Sequence, residues 1–339
     1  MKLKLATKPF QLILKHPFTI SRSTRTTQDS VIVSISDDIN TGYGEAIPYP
    51  YYNITHQKIE QSILKSQAVI ENASGMHPDD LWQQLEFKLK DDYFTLCAIN
   101  CAYWDYYAQT ENRTTRSYFC DDFENPPLSD YTIGIDTIEV MKQKIIETPW
   151  PIYKIKLGTD KDVEIISELR KVTDAVFRID ANCAWTVEET LNNAIKLKEL
   201  GVEFIEQPLN ADDWEGMKRL KRKCVLPLIA DESCQRFEDV EKCFEGFHGI
   251  NIKLMKCGGL TPAIKMIHKA RALNLDVMAG CMAESTVGIS SLAQIGPLLD
   301  FIDADGGMLL KNDTANGVKL DYGCLVYPKE NGSGITLLD

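Results

Sequence analysis

Residues 177–182 read FRIDAN, residues 202–208 read VEFIEQP and residues 227–233 read PLIADES, and each of these apolar runs closes on a carboxylate. The three carboxylates are Asp180, Glu206 and Asp231, at intervals of 26 (206 − 180) and 25 (231 − 206) residues. An interval of that size accommodates one strand, one helix and two short loops. The sequence therefore predicts three consecutive parallel strands whose C-terminal ends bring the carboxylates together.

Apolar runs of the same kind continue on both sides of this stretch and alternate with amphipathic segments. VEETLNNAIKLKELG, for example, carries apolar residues at spacings of three and four, which is typical of a helix packed on one face. The runs that fit strands are YTIGID, YKIKLG, FRIDAN, FIEQP, LIADES, INIKLM, DVMAGC and FIDADG. Strands separated by helices and joined by right-handed crossovers predict an α/β fold with a (β/α)7β modified TIM barrel.

The segment before these runs is organised differently and predicts an α+β capping domain. FQLILKHPF and SVIVSISDD alternate as strands, TGYGEAIP is predicted as a hairpin-like turn, and helical stretches follow. ENPPLSD, at residues 124–130, contains two prolines and is predicted as an extended linker. We expect a capping domain at 1–125, a barrel at 126–312 and a C-terminal segment at 313–339 that returns to the capping domain.

Composition and charge limit the classes of function. The chain has 339 residues, 44% hydrophobic and 25% charged, which suits a globular protein large enough for two domains. Its formal net charge is −12 and its basic residues are scattered, so we expect no nucleic-acid partner. No run approaches the roughly 20 apolar residues that span a bilayer, and the first residues lack the apolar core of a secretory signal. We expect a cytoplasmic protein with no membrane partner, and leave open whether it forms a homo-oligomer.

The three carboxylates predict a site for a hard divalent cation. Asp180, Glu206 and Asp231 offer only oxygen ligands, with no imidazole or thiolate near them in sequence, which favours Mg²⁺ over zinc or copper. Acidic residues also end strands and cap helices without a metal, but equal strand spacing disfavours that interpretation. Asn182 and Ser233 are predicted to orient the carboxylates, although both residue types are common in turns.

Two lysine-bearing runs flank the carboxylates. Lys154 and Lys156 alternate in YKIKLG, so both are expected to face the barrel mouth. Mutual repulsion and partial burial are expected to make Lys156 a general base, with Lys154 tuning it and contacting the substrate. In INIKLMKCGG, Lys253 is predicted in mid-strand, opposite Lys156, and Lys256 on the other face of that strand. Catalytic bases on both sides of one carbon predict a 1,1-proton transfer that inverts a stereocentre.

The motifs KxK, DAN, EQP, DES and KLMKCGG, in this order, resemble the muconate-lactonizing-enzyme subgroup of the enolase superfamily. GYGEA and AINCAYWD also resemble the capping domain of that family, so the resemblance covers most of the chain. It implies magnesium-assisted removal of a proton next to a carboxylate, with the metal and ammonium groups stabilising an enediolate.

The last predicted barrel strand is the best discriminator among the substrates of this subgroup. FIDADGG places Asp303 and Asp305 on one face, and they resemble the DxD element with which dipeptide epimerases hold the substrate α-ammonium. The resemblance implies an isomerase, similar to L-Ala-D/L-Glu epimerases, that inverts the C-terminal residue of a dipeptide. An ordinary strand-end turn is the alternative interpretation of the acid pair.

Other substrate contacts are expected from the resemblance and from position alone. Side-chain preference is expected to come from the loops at 20–28 and 47–53, where Arg22 and Arg25 are candidates for binding an acidic side chain. Ala-Glu, Ala-Ala and hydrophobic dipeptides all stay open. The other predicted substrate contacts are Thr24, Thr132 and Met282.

Two alternatives stand beside the epimerase. An o-succinylbenzoate synthase or a muconate-type cycloisomerase would use the same metal and lysines without needing Asp303 and Asp305 as an acid pair. A non-catalytic binding protein would have no physical need for three buried acids beside three cations.

Overall fold

The structure is a computed structural model that describes residues 2–121 and 126–338, and it begins with an antiparallel sheet and helices that form a cap. The strands are β1 Lys4–Ile20, β2 Ser23–Ser36 and β3 Thr41–Ala46. The helices are α1 His56–Glu71, α2 Pro78–Glu86 and α3 Tyr93–Thr110, with 3₁₀ helices at Pro50–Tyr52 and Thr115–Tyr118. The hairpin of β1 and β2 turns at Ser21 and Arg22.

The predicted hairpin-like turn at residues 41–48 is wrong, because TGYGEA forms strand β3. Its glycines allow the strand to lie directly on helix α3. A Cβ atom on Gly42 would overlap the backbone of Ala102 and Tyr106, and one on Gly44 would overlap the carbonyl oxygen of Ala98. The glycines that suggested a turn are needed for this close approach.

The barrel follows as one parallel sheet in which the strands are ordered as along the chain. Its strands are β4 Tyr131–Ile133, β5 Ile152–Lys156, β6 Val176–Asp180, β7 Val202–Glu206, β8 Leu228–Ala230, β9 Gly249–Ile252, β10 Asp276–Gly280 and β11 Phe301–Asp303. Its helices are α4 Ile138–Glu147, α5 Asp162–Arg170, α6 Val187–Glu199, α7 Trp214–Lys223, α8 Asp239–Gly246, α9 Leu254–Cys257, α10 Leu260–Ala272 and α11 Thr286–Ala293, with 3₁₀ helices at Gly296–Leu298 and Gly306–Leu309. A parallel bridge between Ser129 and Ile302 closes the ring. The predicted (β/α)7β barrel with an α+β cap is confirmed.

Helix α6 shows how the local sequence sets the strand that follows. Thr186 accepts a hydrogen bond from the backbone N–H of Glu189, whose carboxylate accepts one from the backbone N–H of Thr186, so that a capping box begins the helix. Ala194 and Leu197 lie on its buried face, and Gly201 follows its end with φ 76°. These signals fix the helix between β6 and β7, the strands that carry two of the predicted metal ligands.

A buried carboxylate joins the cap to the barrel. Glu45, in β3, is 2% exposed and accepts hydrogen bonds from the backbone N–H groups of Ser285 (3.0 Å) and Gly288 (3.1 Å) and from the Ser285 hydroxyl (2.6 Å). Burial raises the pKa of Glu45. Because its donors stand at the N-terminus of α11, where backbone N–H groups favour an anion, Glu45 fixes the cap strand to the barrel.

The C-terminal segment contains short strands, β12 Ala315–Asn316, β13 Lys319–Asp321, β14 Cys324–Val326 and β15 Thr336–Leu337. It contacts the cap, since the backbone N–H of Ser333 donates to Asp105 of α3 at 2.7 Å. The predicted linker and domain boundary include residues 122–125, which lie outside the described residues, so the boundaries stay a prediction. Among the residues described, no helix is both long and apolar enough to cross a membrane.

Candidate active site

The predicted metal ligands meet at the C-terminal end of the barrel. Asp180 and Glu206 are the last residues of β6 and β7, and Asp231 directly follows β8. The parallel register pairs Asp180 with Glu206, so both carboxylates leave the sheet at the same level. All three side chains are buried, and one oxygen of each lies within 4.8 Å of the others. Asp180, Glu206 and Asp231 therefore form a carboxylate trio, as their spacing in the sequence predicted.

The members of the carboxylate trio differ in electrostatic environment. Burial raises the pKa of Glu206 to about 7, against the opposing effect of the Lys154 ammonium. Burial acts in the same direction on Asp231, but the ammonium groups of Lys253 and Lys256 outweigh it and hold the pKa of Asp231 well below its usual range. The pKa of Asp180 is lowered for the same reason by Lys156 and Lys154. At neutral pH the trio thus concentrates negative charge in a buried place.

The donor set of the trio fits a hard divalent cation. It consists of carboxylate oxygens alone. Glu206 Oε2 is buried and, within the described ranges, accepts no hydrogen bond, because the Lys154 ammonium lies 2.7 Å away without hydrogen-bond geometry. The Lys154 ammonium already balances part of the charge of this oxygen, and the lone pairs that accept no hydrogen bond are open to a metal ion. Oxygen ligands of this type suit Mg²⁺.

Asn182 and Gln207 hold the loops that carry the trio. Asn182 donates to Asp180 from its backbone N–H at 2.9 Å and from its side chain at 3.2 Å. Ser233 contacts Gln207 instead of a carboxylate, at 2.9 Å. Gln207 Oε1 accepts from the backbone N–H groups of Asp231 and Ser233, both at 3.0 Å. Gln207 was not among the predicted site residues, although its place directly after Glu206 in EQP is a signal for it.

Lys154 and Lys156 share the interior face of β5. Lys156 Nζ donates to Asp180 Oδ2 at 2.6 Å and borders an open cavity. Lys154 lies deeper, with Nζ 2.9 Å from Asp303 Oδ2. Burial opposes the charge on Lys154, but the Asp303 and Glu206 carboxylates outweigh it and raise its pKa well above the usual range. The expected depression by a neighbouring lysine therefore does not hold for Lys154, because acids surround it.

The predicted mid-strand position of Lys253 is wrong, because β9 ends at Ile252. Lys253 follows directly, at the start of the single helical turn α9, and its Nζ donates to Asp231 Oδ2 at 2.9 Å. Burial opposes the ammonium, but Asp231 outweighs it and raises the pKa of Lys253. Lys253 borders the same cavity as Lys156.

Lys156 and Lys253 stand on opposite sides of the barrel. Strands β6 to β8 separate β5 from β9 on one side, and β10, β11 and β4 separate them on the other. Both side chains turn inward, since each ammonium reaches a member of the trio. The two lysines therefore face each other across the mouth.

Lys256 lies beneath the mouth and does not border the cavity. Its side chain is fully buried, and Nζ donates to Asp231 Oδ1 at 2.6 Å and to the carbonyl oxygens of Asp231 at 2.5 Å and Cys234 at 2.9 Å. The prediction placed it on the outer face of a continued strand. The helical turn α9 instead directs it back to the trio from below.

Asp303 and Asp305 form an acid pair on another side of the mouth. Asp303 ends β11, Asp305 follows two residues later, and both border the cavity. Burial and the nearby Asp303 raise the pKa of Asp305 to about 7. Burial opposes the charge of Asp303 as well, but Lys154 outweighs it and lowers the pKa. Asp305 Oδ2 accepts a hydrogen bond from the backbone N–H of Thr132 at 2.6 Å, so β4 and the acid pair are joined.

The cavity encloses about 780 Å³ of empty space, part of which is open to solvent. The predicted site residues that border it are Thr132, Lys156, Asn182, Asp231, Lys253, Met282, Asp303 and Asp305. The cap contributes Leu14, Phe18, Ile20, Arg22, Ser23, Arg25, Tyr49 and Tyr52. Thr24 does not border it; its hydroxyl pairs with that of Thr19 at 3.0 Å on the exposed hairpin. Glu232, which also borders the cavity, escaped the sequence analysis because it reads as an ordinary turn residue in DES.

Comparison with known proteins places this site in a family. Residues 136–339 match the family model described as enolase C-terminal domain-like, and residues 5–116 match the mandelate racemase/muconate lactonizing enzyme N-terminal domain. The L-Ala-D/L-amino acid epimerase of Flavobacterium johnsoniae is 51% identical over 336 residues, covering 99% of this chain and 100% of that protein. The L-Ala-D/L-Glu epimerase of Bacteroides thetaiotaomicron is 35% identical, over 98% and 88% of the two chains.

A solved structure agrees along the whole chain. The dipeptide epimerase from Enterococcus faecalis V583, complexed with Mg and the dipeptide L-Leu-L-Tyr, has a TM-score of 0.92 at 28% identity. The alignment covers 99% of this chain and 100% of that one. This chain belongs to the mandelate racemase/muconate lactonizing enzyme family of the enolase superfamily.

Proposed function

We propose that this protein is a Mg²⁺-dependent dipeptide epimerase that inverts the α-carbon of the C-terminal residue by two-base proton transfer. The observation that carries the proposal is the placement of Lys156 and Lys253 at the C-terminal ends of strands on opposite sides of the barrel, with the carboxylate trio between them. The epimerase names of the relatives and the dipeptide in the solved structure support the substrate class and agree with the predicted isomerase.

Asp180, Glu206 and Asp231 would hold the metal. Bound Mg²⁺ would stabilise the negative charge that develops on the substrate carboxylate when the adjacent carbon loses its proton. Lys156 and Lys253 divide the proton transfer. One neutral amine takes the α-proton as the C–H bond breaks, and the ammonium of the other returns a proton to the opposite face of the same carbon. The product has the inverted configuration, and the two lysines have exchanged protonation states.

The acid pair would bind the N-terminal ammonium group of the dipeptide. Asp303 and Asp305 both border the cavity and are nearly fully buried, so a substrate cation would be strongly favoured there. The backbone of β4 orients Asp305 through Thr132. The contacts predicted for Thr132 and Met282 stay a proposal, as do the cytoplasmic location and the domain boundaries.

Proton NMR in D₂O with Mg²⁺ tests the function directly. A library of L,L-dipeptides should lose the α-proton signal of the C-terminal residue and gain signals of the other epimer. Absence of exchange from every dipeptide, in protein that binds Mg²⁺, would refute the proposal.

Removing the substrate ammonium is expected to lower kcat/KM by at least about 100-fold, because Asp303 already shares Lys154, whereas Asp305 has no cationic partner among the described residues and would be left buried without one. The comparison is between L-Ala-L-Ala and its N-acetyl derivative in the same exchange assay. Asp305→Asn should reduce the difference in kcat/KM between L-Ala-L-Ala and its N-acetyl derivative. Equal exchange from both would contradict the role of the pair and favour a substrate without a cation, such as that of a synthase or cycloisomerase.

Lys256→Met is expected to weaken Mg²⁺ binding by about 10-fold or more, since Lys256 holds both the side chain and the backbone of Asp231. Isothermal titration calorimetry with Mg²⁺ measures the effect without substrate. Lys265→Met, at an exposed lysine of α10, is the matched control for loss of charge. An unchanged Kd for Mg²⁺ in folded Lys256→Met would show that Lys256 does not position the ligand.

A further inference from the structure

A cation and an anion at the edge of the cavity are already paired with each other. Arg22, at the tip of the β1–β2 hairpin, donates from Nη2 to Glu232 Oε1 at 2.6 Å and from Nη1 to the carbonyl oxygen of Asn182 at 3.2 Å. Its guanidinium also stacks on Tyr51, with Cζ 4.4 Å from the ring centroid. The charge of Arg22 is therefore compensated within the protein.

Glu232 retains an unused acceptor. Its side chain is 2% exposed, and the residue borders the cavity. The second oxygen, Oε2, is buried and has no hydrogen-bond partner in the part of the chain that the structure describes. Because buried carboxylate oxygens are normally satisfied, Oε2 marks a position at which a ligand can supply a donor.

The direction of the substrate side chain follows from the proposed two-base reaction, on which this inference rests. Once the α-proton is removed, the α-carbon is planar, with Lys156 and Lys253 on its two faces. In the proposed reaction the substrate carboxylate would lie in that plane toward the carboxylate trio, and the amide nitrogen would lie in it toward the acid pair. The side chain of the C-terminal residue takes the third direction in the plane, toward the cap.

Two walls line the cap side of the mouth. Leu14, Phe18 and Leu309 lie beside Thr132, next to the acid pair, and form an apolar wall for the N-terminal residue. Arg22 bonds instead to Asn182 and Glu232, which follow two members of the trio by one or two residues. In this arrangement the C-terminal side chain of the substrate would meet the Arg22–Glu232 pair.

Arg25 is the other arginine at the cavity. Its Nη1 donates to Gln28 Oε1 at 2.6 Å, and its Cζ lies 4.1 Å from the Tyr49 ring centroid. Both partners are cap residues, whereas Arg22 contacts two barrel loops. Arg22 is therefore the arginine that is bonded to the loops of the carboxylate trio.

We infer that Glu232 determines which C-terminal residue the site accepts. It neutralises Arg22 and presents Oε2, so it favours an uncharged side chain with an N–H or O–H donor, such as Gln, over an acidic one. An acidic side chain would be repelled by Oε2 and would compete for a guanidinium that is already paired. Glutamine has the same size as glutamate and can donate to Oε2.

The test compares L-Ala-L-Gln with L-Ala-L-Glu at saturating Mg²⁺. The wild-type protein should prefer L-Ala-L-Gln by at least 10-fold in kcat/KM. Glu232→Gln should lower that ratio by at least 10-fold, because it frees the charge of Arg22 for the acidic substrate. The double variant Glu232→Gln, Arg22→Gln should lose the improved kcat/KM for L-Ala-L-Glu that Glu232→Gln is expected to show. Isothermal titration calorimetry with the two dipeptides measures the ratio of their dissociation constants, which tests the same preference independently of turnover.

A wild-type preference for L-Ala-L-Glu, or an unchanged ratio in folded Glu232→Gln, would overturn the inference. The inference would also fail if Arg25→Gln changed the ratio of kcat/KM for L-Ala-L-Gln to that for L-Ala-L-Glu and Glu232→Gln did not. That result would assign the discrimination between the two dipeptides to Arg25. Exchange of the α-proton of L-Ala-L-Ala reports the proposed function separately. If L-Ala-L-Ala exchanges its α-proton but the wild-type protein does not prefer L-Ala-L-Gln over L-Ala-L-Glu, the role of Glu232 is refuted and the proposed function stands.

Discussion

Lys156→Ala and Lys253→Ala should each reduce epimerisation by about 1,000-fold, because each removes one of two bases that must act in succession. The more specific result concerns the two epimers of the substrate. Each variant keeps one lysine on one face, so it should still exchange the α-proton of one epimer with solvent while losing exchange of the other. Proton NMR in D₂O, started separately from each epimer, measures both rates.

The two variants should show opposite stereochemical preferences. Lys265→Ala, at an exposed lysine of the barrel, is the matched control and should exchange both epimers. Equal loss from both epimers in each single variant, with the fold and Mg²⁺ affinity retained, would contradict the assignment of one base to each face.

Asp180→Asn should abolish measurable activity, with a loss above about 1,000-fold, and should weaken Mg²⁺ binding by at least 100-fold. Asp180 is fully buried at the end of β6, and the change removes one negative charge from the trio while leaving the side-chain volume nearly unchanged. It also takes the carboxylate partner from Lys156. Calorimetric titration with Mg²⁺ and the exchange assay give two independent measurements.

Glu241→Gln is a suitable control, because Glu241 is an exposed residue of α8 that pairs with Lys269 of the neighbouring helix α10 on the outside of the barrel. It should leave both Mg²⁺ affinity and exchange near wild-type values. Unchanged Mg²⁺ affinity in Asp180→Asn would remove Asp180 from the metal site and undermine the proposed use of the trio.

Much of the barrel and its charged centre could be predicted from the sequence because both depend on local patterns. Asp180, Glu206 and Asp231 converge because each ends a strand of a repeating βα unit. The predictions for β3 and Lys253 failed where packing decided the outcome. Gly42 and Gly44 lie against α3, and α9 replaces the expected end of β9.

The cap side of the site could not be predicted in the same way. Arg22 and Glu232 are 210 residues apart, and no periodicity in either segment indicates that their side chains meet. Lys256 presents the same difficulty, because its direction depends on one helical turn that the apolar run INIKLM does not reveal. Contacts between distant loops require the folded chain.

The bonds of Glu45 to the start of α11 have a consequence for the timing of catalysis. Because three donors of the barrel hold this carboxylate of the cap, the two parts are expected to move as one body during turnover. Substrate entry and product release then depend on the hairpin tip at Ser21 and Arg22, which is exposed. Opening this tip breaks the bonds of Arg22 to Glu232 and Asn182, so it corresponds to lid opening, which takes microseconds to seconds, and not to the motion of a free loop. Opening of the mouth is therefore expected to share in limiting the rate of turnover.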